Sequence, residues 1–399
     1  MMKTKFLVLA AAVLSAGLLA VLHAADEPKK ETNRDYDNLA QNVVTRSARI
    51  KEGDLVQITG QFKDAALLEA LAVQIRKQGG RHLIDISSDR LNRRLMDEVP
   101  AKFDSQEPKW DMKLAEIIDA QIAVDSGDEQ ALAGIPVDRL TAIRKAAEPV
   151  IPLMRKRNVR TVGLGNGLYP TASRAKQYGL PEEELAKIFW DGLNVDYAKM
   201  QSTGEELQKI LSHGKELQLT NANGTDLKVR IEKRPVFLSD GNLTPEKIKK
   251  GGSAVQTWLP AGEVYVSPVA GSAEGKVVID RVFYEGKEII SLTMTIKSGK
   301  VTEMTAKAGG ERLLEMYKGA GPGKEQFAVV DIGINPNVRI PMGSKMLVYM
   351  AAGMVSVWTG NDTWAGGDNN ASFEGGGFLP GSTLKVDDKV VVENGTLKL

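Results

Sequence analysis

Five acids in the last third of this 399-residue chain, Glu263, Asp331, Asp362, Asp368 and Glu374, could supply ligands to a metal, yet no histidine occurs from Gly262 to Leu399. If the loops that carry them converge, they form an all-oxygen donor set, which suits calcium, magnesium or manganese. Zinc and cobalt sites draw on imidazole or thiolate, so losing those donors weakens soft-metal binding more than hard-metal binding. Asp362 and Asp368 also read as ordinary solvated loop acids. There is no cysteine, and the three histidines lie elsewhere: His23 in an apolar leader, His82 at the start of an apparent core strand, and His213 just before Gly214. Each reads as structural or surface. No Ser-His-Asp triad or nucleophile elbow can be assembled.

Several separated segments form a wider pattern. They are Asn223-Gly224-Thr225-Asp226-Leu227, then Trp258-Leu259-Pro260-Ala261-Gly262-Glu263-Val264-Tyr265-Val266-Ser267-Pro268, then Asp331-Ile332-Gly333-Ile334-Asn335-Pro336, and then Gly353 to Asn361 with Gly366-Gly367 after it. In composition and order these resemble the M29 metallo-aminopeptidases, the aminopeptidase T and aminopeptidase S type, over nearly all of the chain after its leader. The resemblance implies Glu263 as the first metal-binding glutamate and a divalent metal, zinc, cobalt or manganese. It puts Ser356 at the first histidine position and aligns a His-x-Asp pair with Glu374 and Gly376. The second glutamate falls near Ala328, Val329 and Val330, with Asp331 two places late, and a tyrosine is replaced by Thr363 or Trp364. The metal-ligand candidates are therefore Glu263, Glu374 and Asp331, and no catalytic residue is assigned.

A two-metal hydrolase requires ions about 3.5–4 Å apart, a bridging water made acidic by both, and an open position for the scissile carbonyl. The resemblance implies removal of amino-terminal residues from peptides, if such a site is functional, by a protein that pairs as a homodimer. The missing imidazoles support the alternative, an inactive homologue acting as an exported peptide-binding or structural protein. The tryptophans Trp258, Trp358 and Trp364 read as core or cleft wall.

The elements that must position these groups are legible. Met1-Met2-Lys3-Thr4-Lys5 is basic, Phe6 to Leu22 is almost wholly apolar, and Leu22-His23-Ala24 offers a small-residue cleavage site. Residues 1–25 thus read as a secretory signal peptide and the protein as periplasmic or secreted. The apolar run borders on spanning length, so an uncleaved anchor is the alternative; no stable span is expected after cleavage. An exported chain without cysteine has no disulfide framework and must depend on its cores. Lys plus Arg (52) balance Asp plus Glu (51), which argues against a nucleic-acid surface.

The expected fold class is α/β, with an amino-terminal parallel-sheet α/β domain over 26–205 and a β-rich α+β domain resembling the M29 catalytic domain over 206–399. Asp54 to Gly60 and Leu83 to Ile86 read as strands around a helix from Ala65 to Lys77, a βαβ unit with a right-handed crossover. Arg160 to Gly165 continues the pattern, and Pro181-Glu182-Glu183-Glu184 opens a helix with acids at its positive end. Gly163-Leu164-Gly165-Asn166-Gly167 imitates a dinucleotide loop but has its third glycine misplaced, and reads as a turn. Beyond Leu207, runs such as Gly275 to Phe283 and Ile289 to Lys297 are strand-like and separated by Asn-Gly, Glu-Gly and Ser-Gly turns. Leu384 to Gly395 reads as a closing hairpin.

Overall fold

A computed structural model describes residues 35–399. The signal-peptide reading of residues 1–25 lies outside those residues, and no helix among the described residues is long and apolar enough to cross a membrane. Three sheets organise the described chain. The first is parallel, in the order Arg81–Ser87, Leu55–Gln61, Ala120–Val124, Arg160–Leu164 and Gln256–Leu259. The helix Ala65–Lys77 makes the expected crossover and buries Leu67, Leu68, Leu71 and Ile75. These positions recur at helical spacing, so one face of the helix covers the sheet.

Two details differ from the sequence reading. Arg81–Ser87 is an edge strand with a neighbour on one side only, and Leu83 and Ile86 are exposed. His82 therefore starts an exposed edge strand rather than a core strand. The fifth parallel strand, Gln256–Leu259, comes from beyond the boundary expected at 206, and one continuous apolar cluster runs from Leu39 to Val392. The fold class is as expected, but the chain returns to its first sheet before building the site.

The second sheet has eight strands in the order Lys300–Ala308, Lys287–Lys297, Glu274–Tyr284, Thr225–Arg230, Glu216–Asn221, Thr383–Val386, Lys389–Glu393 and Thr396–Leu397. It contains every strand-like run expected after Leu207, and its closing hairpin turns at Asp387. The third sheet is antiparallel, in the order Glu374–Phe378, Val355–Gly360, Phe327–Gly333, Glu263–Val266 and Val236–Ser239.

Two central strands of the third sheet are buried at every residue. Alternation sorts the side chains of these strands and of Val355–Gly360 beside them: Val264, Val266, Val330, Ile332, Val355 and Val357 join the main core, while Tyr265 and Val329 join a separate aromatic cluster with Phe237 and Ala365. A strand with period two that is covered on both faces reads as continuous burial. Glu263 and Asp331 have the parity of Tyr265, so they point away from the main core.

A buried ion pair ties the opposite end of the parallel sheet. Arg160 and Asp54 approach to 2.7 Å, at 7% and 4% exposure. Arg160 also donates to the carbonyls of Ala48 and Arg49. Removing one partner leaves an uncompensated buried charge, which costs about 3–5 kcal/mol. Asp54→Ala is therefore expected to lower urea stability by that amount, and a loss below about 1 kcal/mol would show that water reaches Arg160.

Candidate functional site

The carboxyl ends of two parallel strands face the cavity-side surface of the third sheet. After Arg160–Leu164 the chain turns through Gly165 and Asn166, with Leu168 N–H donating to the Gly165 carbonyl at 2.8 Å. The apparent dinucleotide loop is thus a turn, and the next helix starts only at Ala172. Asn166 takes a φ of 48°, a left-handed conformation that asparagine tolerates better than most residues. From there its side-chain amide donates to Glu263 Oε1, and also to the Pro260 carbonyl at 3.3 Å. The other parallel strand contributes Trp258 and leads through Pro260 into the strand bearing Glu263.

On the sheet, Glu263 pairs with Gly333 and Asp331 pairs with Tyr265, which makes the two acids diagonal neighbours on one face. On Asp331's other side stands Ser356, and Gly376 pairs with Trp358. Glu263, Asp331 and Glu374 line one cavity of about 240 Å³ together with Asn166, Tyr349 and the three tryptophans Trp258, Trp358 and Trp364. No lysine, arginine or histidine lines it.

The electrostatics follow from that lining. Burial pushes the Glu263 carboxyl up to about 7, against the opposing hydrogen bond from Asn166. Burial, then the charge of Glu263, raises Asp331 well above the usual carboxylate range; the Ile332 backbone and Ser356 oppose this. Glu374 is also pushed to about 7 by burial, opposed by Trp364 Nε1 donating at 3.2 Å, although the cavities it borders leave it accessible. Burial first, and the nearby acids next, hold the Tyr265 and Tyr349 phenols protonated. Asp331 Oδ1 is buried without a hydrogen-bond partner, while Oδ2 accepts a long contact of 3.5 Å from Ser356 Oγ.

The structure therefore brings all three candidate ligands to one cavity, and Asp331 is the acid of its strand that faces it. Ala328 and Val329 instead pack into the aromatic cluster. Ser356 is buried and accepts a hydrogen bond from Trp358 Nε1 at 3.0 Å. Trp364, rather than Thr363, lines the carboxylate cavity. Asp362 organises its loop by accepting from Ser267 Oγ and Asn369 N–H, both at 2.8 Å. Neither Asp362 nor Asp368 lines the cavity. His82 and His213 are also absent from it; a His213 ring nitrogen lies 2.7 Å from the Lys209 carbonyl instead.

Sequence reasoning missed Asn166 and Tyr349. Asn166 had a signal, a polar residue between glycines directly after a strand. Tyr349 lies in the apolar run Met346 to Met350, which forms no strand and carries no motif, so nothing local assigned it to a site.

A zinc or cobalt pair does not fit these residues. The donors are carboxylates alone, one already tied to Asn166, and no group of three or more His, Cys, Asp or Glu among the described residues is placed to hold a metal ion. Gly376, where the resemblance implies aspartate, cannot carry a side chain in this register. A Cβ there would lie 2.0 Å from the Val357 carbonyl oxygen and 2.8 Å from Trp358 Cα. Gly376→Asp is accordingly expected to disrupt the hairpin, seen as loss of the native near-ultraviolet signal. A native-like variant that gains metal affinity would overturn this assignment of the strand register.

The raised carboxyls also make stability depend on pH. Glu263 and Glu374 stay protonated in the folded protein up to about pH 7, whereas the unfolded chain releases those protons near 4.5. Between these values the folded state holds more protons, so stability falls as pH rises through the window. Thermal unfolding followed from pH 4.5 to 7 should show a declining midpoint, with a shallower decline in Glu263→Gln. An equally steep decline in that variant would remove Glu263 as a source.

Comparison with known proteins places this geometry. The family described as thermophilic metalloprotease (M29) matches residues 32–321, a range that includes Glu263 and ends before Asp331, Ser356 and Glu374. Aminopeptidase AmpS of Bacillus subtilis (strain 168) is 19% identical over 315 residues, covering 72% of this chain and 74% of that protein. Aminopeptidase T of Thermus thermophilus is 23% identical over 311 residues, covering 72% and 75%. The solved structure of wild-type AmpT from Thermus thermophilus superposes with a TM-score of 0.70 at 18% identity, covering 91% of this chain and 99% of that one. A 2,5-dihydroxypyridine dioxygenase from Pseudomonas putida KT2440 shares the fold more distantly, with a TM-score of 0.56 at 14% identity and coverage of 91% and 96%. With the family match extending over most of its length, the chain belongs to the M29 family of metalloproteases.

Proposed function

We propose that this protein is an exported M29 homologue that binds peptides without hydrolysing them. One observation carries the reading: the cavity at the family's expected metal position is lined by three carboxylates and no imidazole. Hydrolysis by a metal pair needs both ions fixed and a shared water made acidic. Here Asn166 occupies one oxygen of Glu263, Ser356 supplies a hydroxyl where the resemblance implies a nitrogen donor, and backbone closes the space at Gly376.

Peptides are the ligand class suggested by the aminopeptidases that this chain resembles. Export is supported by the basic start and apolar run of the first 25 residues. A homodimer belongs to the same proposal, by family precedent.

The competing reading, a working aminopeptidase, draws on the retained Glu263 and on the orphaned Asp331 Oδ1, which lacks the partner that a cation would supply. The two readings separate in one experiment. The purified protein is dialysed against trace zinc, cobalt and manganese, analysed for bound metal, and assayed on a panel of amino-acyl p-nitroanilides and short peptides. The expected result is substoichiometric metal and no turnover above the buffer rate. Two equivalents of metal with turnover, both lost in Glu263→Ala, would establish the aminopeptidase instead.

A further inference from the structure

A parallel sheet normally has both faces covered by helices and lined by apolar side chains. One face of the first sheet follows that rule, with Val56, Ile58, Ile122, Val162 and Leu164 in the main core. The opposite face does not. Gln57, Gln121, Thr161 and Gln256 stand in register there, one on each of four neighbouring strands, so a polar row crosses the sheet. The row beyond it runs through Ala123, Gly163 and Trp258, and its two small residues keep the sheet surface low.

A cavity of about 370 Å³ opens over Gln121, Thr161 and Gln256 and over the small residues Ala123 and Gly163. The helix Val150–Lys156 contributes Ile151, Met154 and Arg155 to its lining. Trp258, Trp364 and Glu374 also line it and are shared with the carboxylate cavity, so the two spaces meet there. The Gln121 amide already donates to Gln57 Oε1 at 2.9 Å. The Thr161 hydroxyl and the Gln256 amide remain free to bond a ligand.

Arg155 is the one basic residue of this lining. Its neighbours in sequence are engaged: Arg157 donates to the Ile118 carbonyl at 2.7 Å, and Arg160 pairs with Asp54. Arg155 is half-buried, and among the described residues its guanidinium enters no ion pair, hydrogen bond or ring contact. Burial alone acts on it and holds it below the ordinary arginine range. Glu374 is no counter-ion, since it makes no ion pair with Arg155, accepts from Trp364 Nε1, and is itself pushed up to about 7 by burial.

A guanidinium in a partly dry space gains most from an anion, and its planar fork matches a carboxylate. One cation balances one negative charge, whereas a phosphate dianion would keep a second charge out of water without a partner. The rest of the lining is mainly apolar or aromatic, through Ile151, Met154, Val159, Trp258 and Trp364.

We propose that this cavity binds a small monocarboxylate with an apolar or aromatic body, the carboxylate held by Arg155, Thr161 and Gln256 and the body resting over Ala123 and Gly163. The groups that hold it are separate from the three carboxylates of the third sheet, and the proposal does not rest on the peptide-binding reading.

Calorimetric titration of the purified protein with 3-phenylpropanoate, 3-phenylpropanamide and phenyl phosphate, buffered below about pH 7 so that Glu374 keeps its proton, tests the proposal. Saturable binding of the acid is expected, with the amide and the phosphate at least about tenfold weaker, from the size of a lost charge-assisted hydrogen bond. Arg155→Gln should weaken the acid at least about tenfold and leave the amide unchanged. Thr161→Val, which keeps the side-chain shape, should also weaken the acid about tenfold. Failure of the acid to bind, equal binding of the amide or the phosphate, or unchanged acid affinity in either variant would overturn the proposal.

Discussion

Glu263 and Asp331 sit side by side on a strand pair buried on both faces, with no basic residue lining the cavity that they share. An isolated carboxylate taken out of water and left ionised is among the most costly states a protein can hold, and chains normally avoid it by pairing, hydrogen bonding or protonation. This chain uses the last two. Asn166 donates to Glu263, Trp364 to Glu374 and, weakly, Ser356 to Asp331, but these donors only partly offset burial, and all three carboxyls are raised. Burial thus outweighs the neutral donors at each of the three carboxyls.

The surrounding architecture serves that constraint. The turn that aims Asn166 follows one parallel strand, and the approach to Glu263 follows another, so the carboxyl ends of the first sheet build one wall of the cavity. Ligand sites in open α/β sheets commonly lie at those ends. The third sheet builds the other wall, and its period-two alternation divides Val264, Val330 and Val355 from Glu263, Asp331 and Ser356 across one layer of backbone. The return of residues 256–259 to the parallel sheet links the walls, because the same short segment ends in Trp258 and leads to Glu263. A division of the chain at 206 conceals this link, which is a pairing of strands distant in sequence.

Much of the fold was legible because its signals are local. The helix Ala65–Lys77 ends where Gly79 and Gly80 stop its periodicity, and the hairpins after Leu207 follow their Asn-Gly, Glu-Gly and Ser-Gly turns. Burial was less legible. His82 sits in an apolar pattern, yet nothing local reveals that its strand lies at a sheet edge. At the site, Glu263 stood out within its segment and Asp331 was named two places after the expected glutamate, because counting residues along the chain cannot show which residue from Ala328 to Asp331 faces the cavity. Tyr349 reaches the cavity from an irregular stretch, and only the folded path places it against Trp358 at 5.6 Å.

The distance from a metal site is set by backbone as much as by missing side chains. Ser356 is a small buried residue whose hydroxyl already bridges Trp358 Nε1 and Asp331. An imidazole there would have to displace packed neighbours and would leave the indole to find another acceptor. Gly376 is fixed more firmly still, since the strand beside it occupies the volume of any β-carbon. Rebuilding a nitrogen-rich site would thus require the Val355–Gly360 and Glu374–Phe378 strands to separate or shift register, and a one-residue shift sends every side chain of a strand to the opposite face. Such a shift would carry Trp358 and Glu374 out of the cavity they now line. In the present register Trp358 and Glu374 line the cavity, and the close packing of Gly376 against the neighbouring strand holds that register.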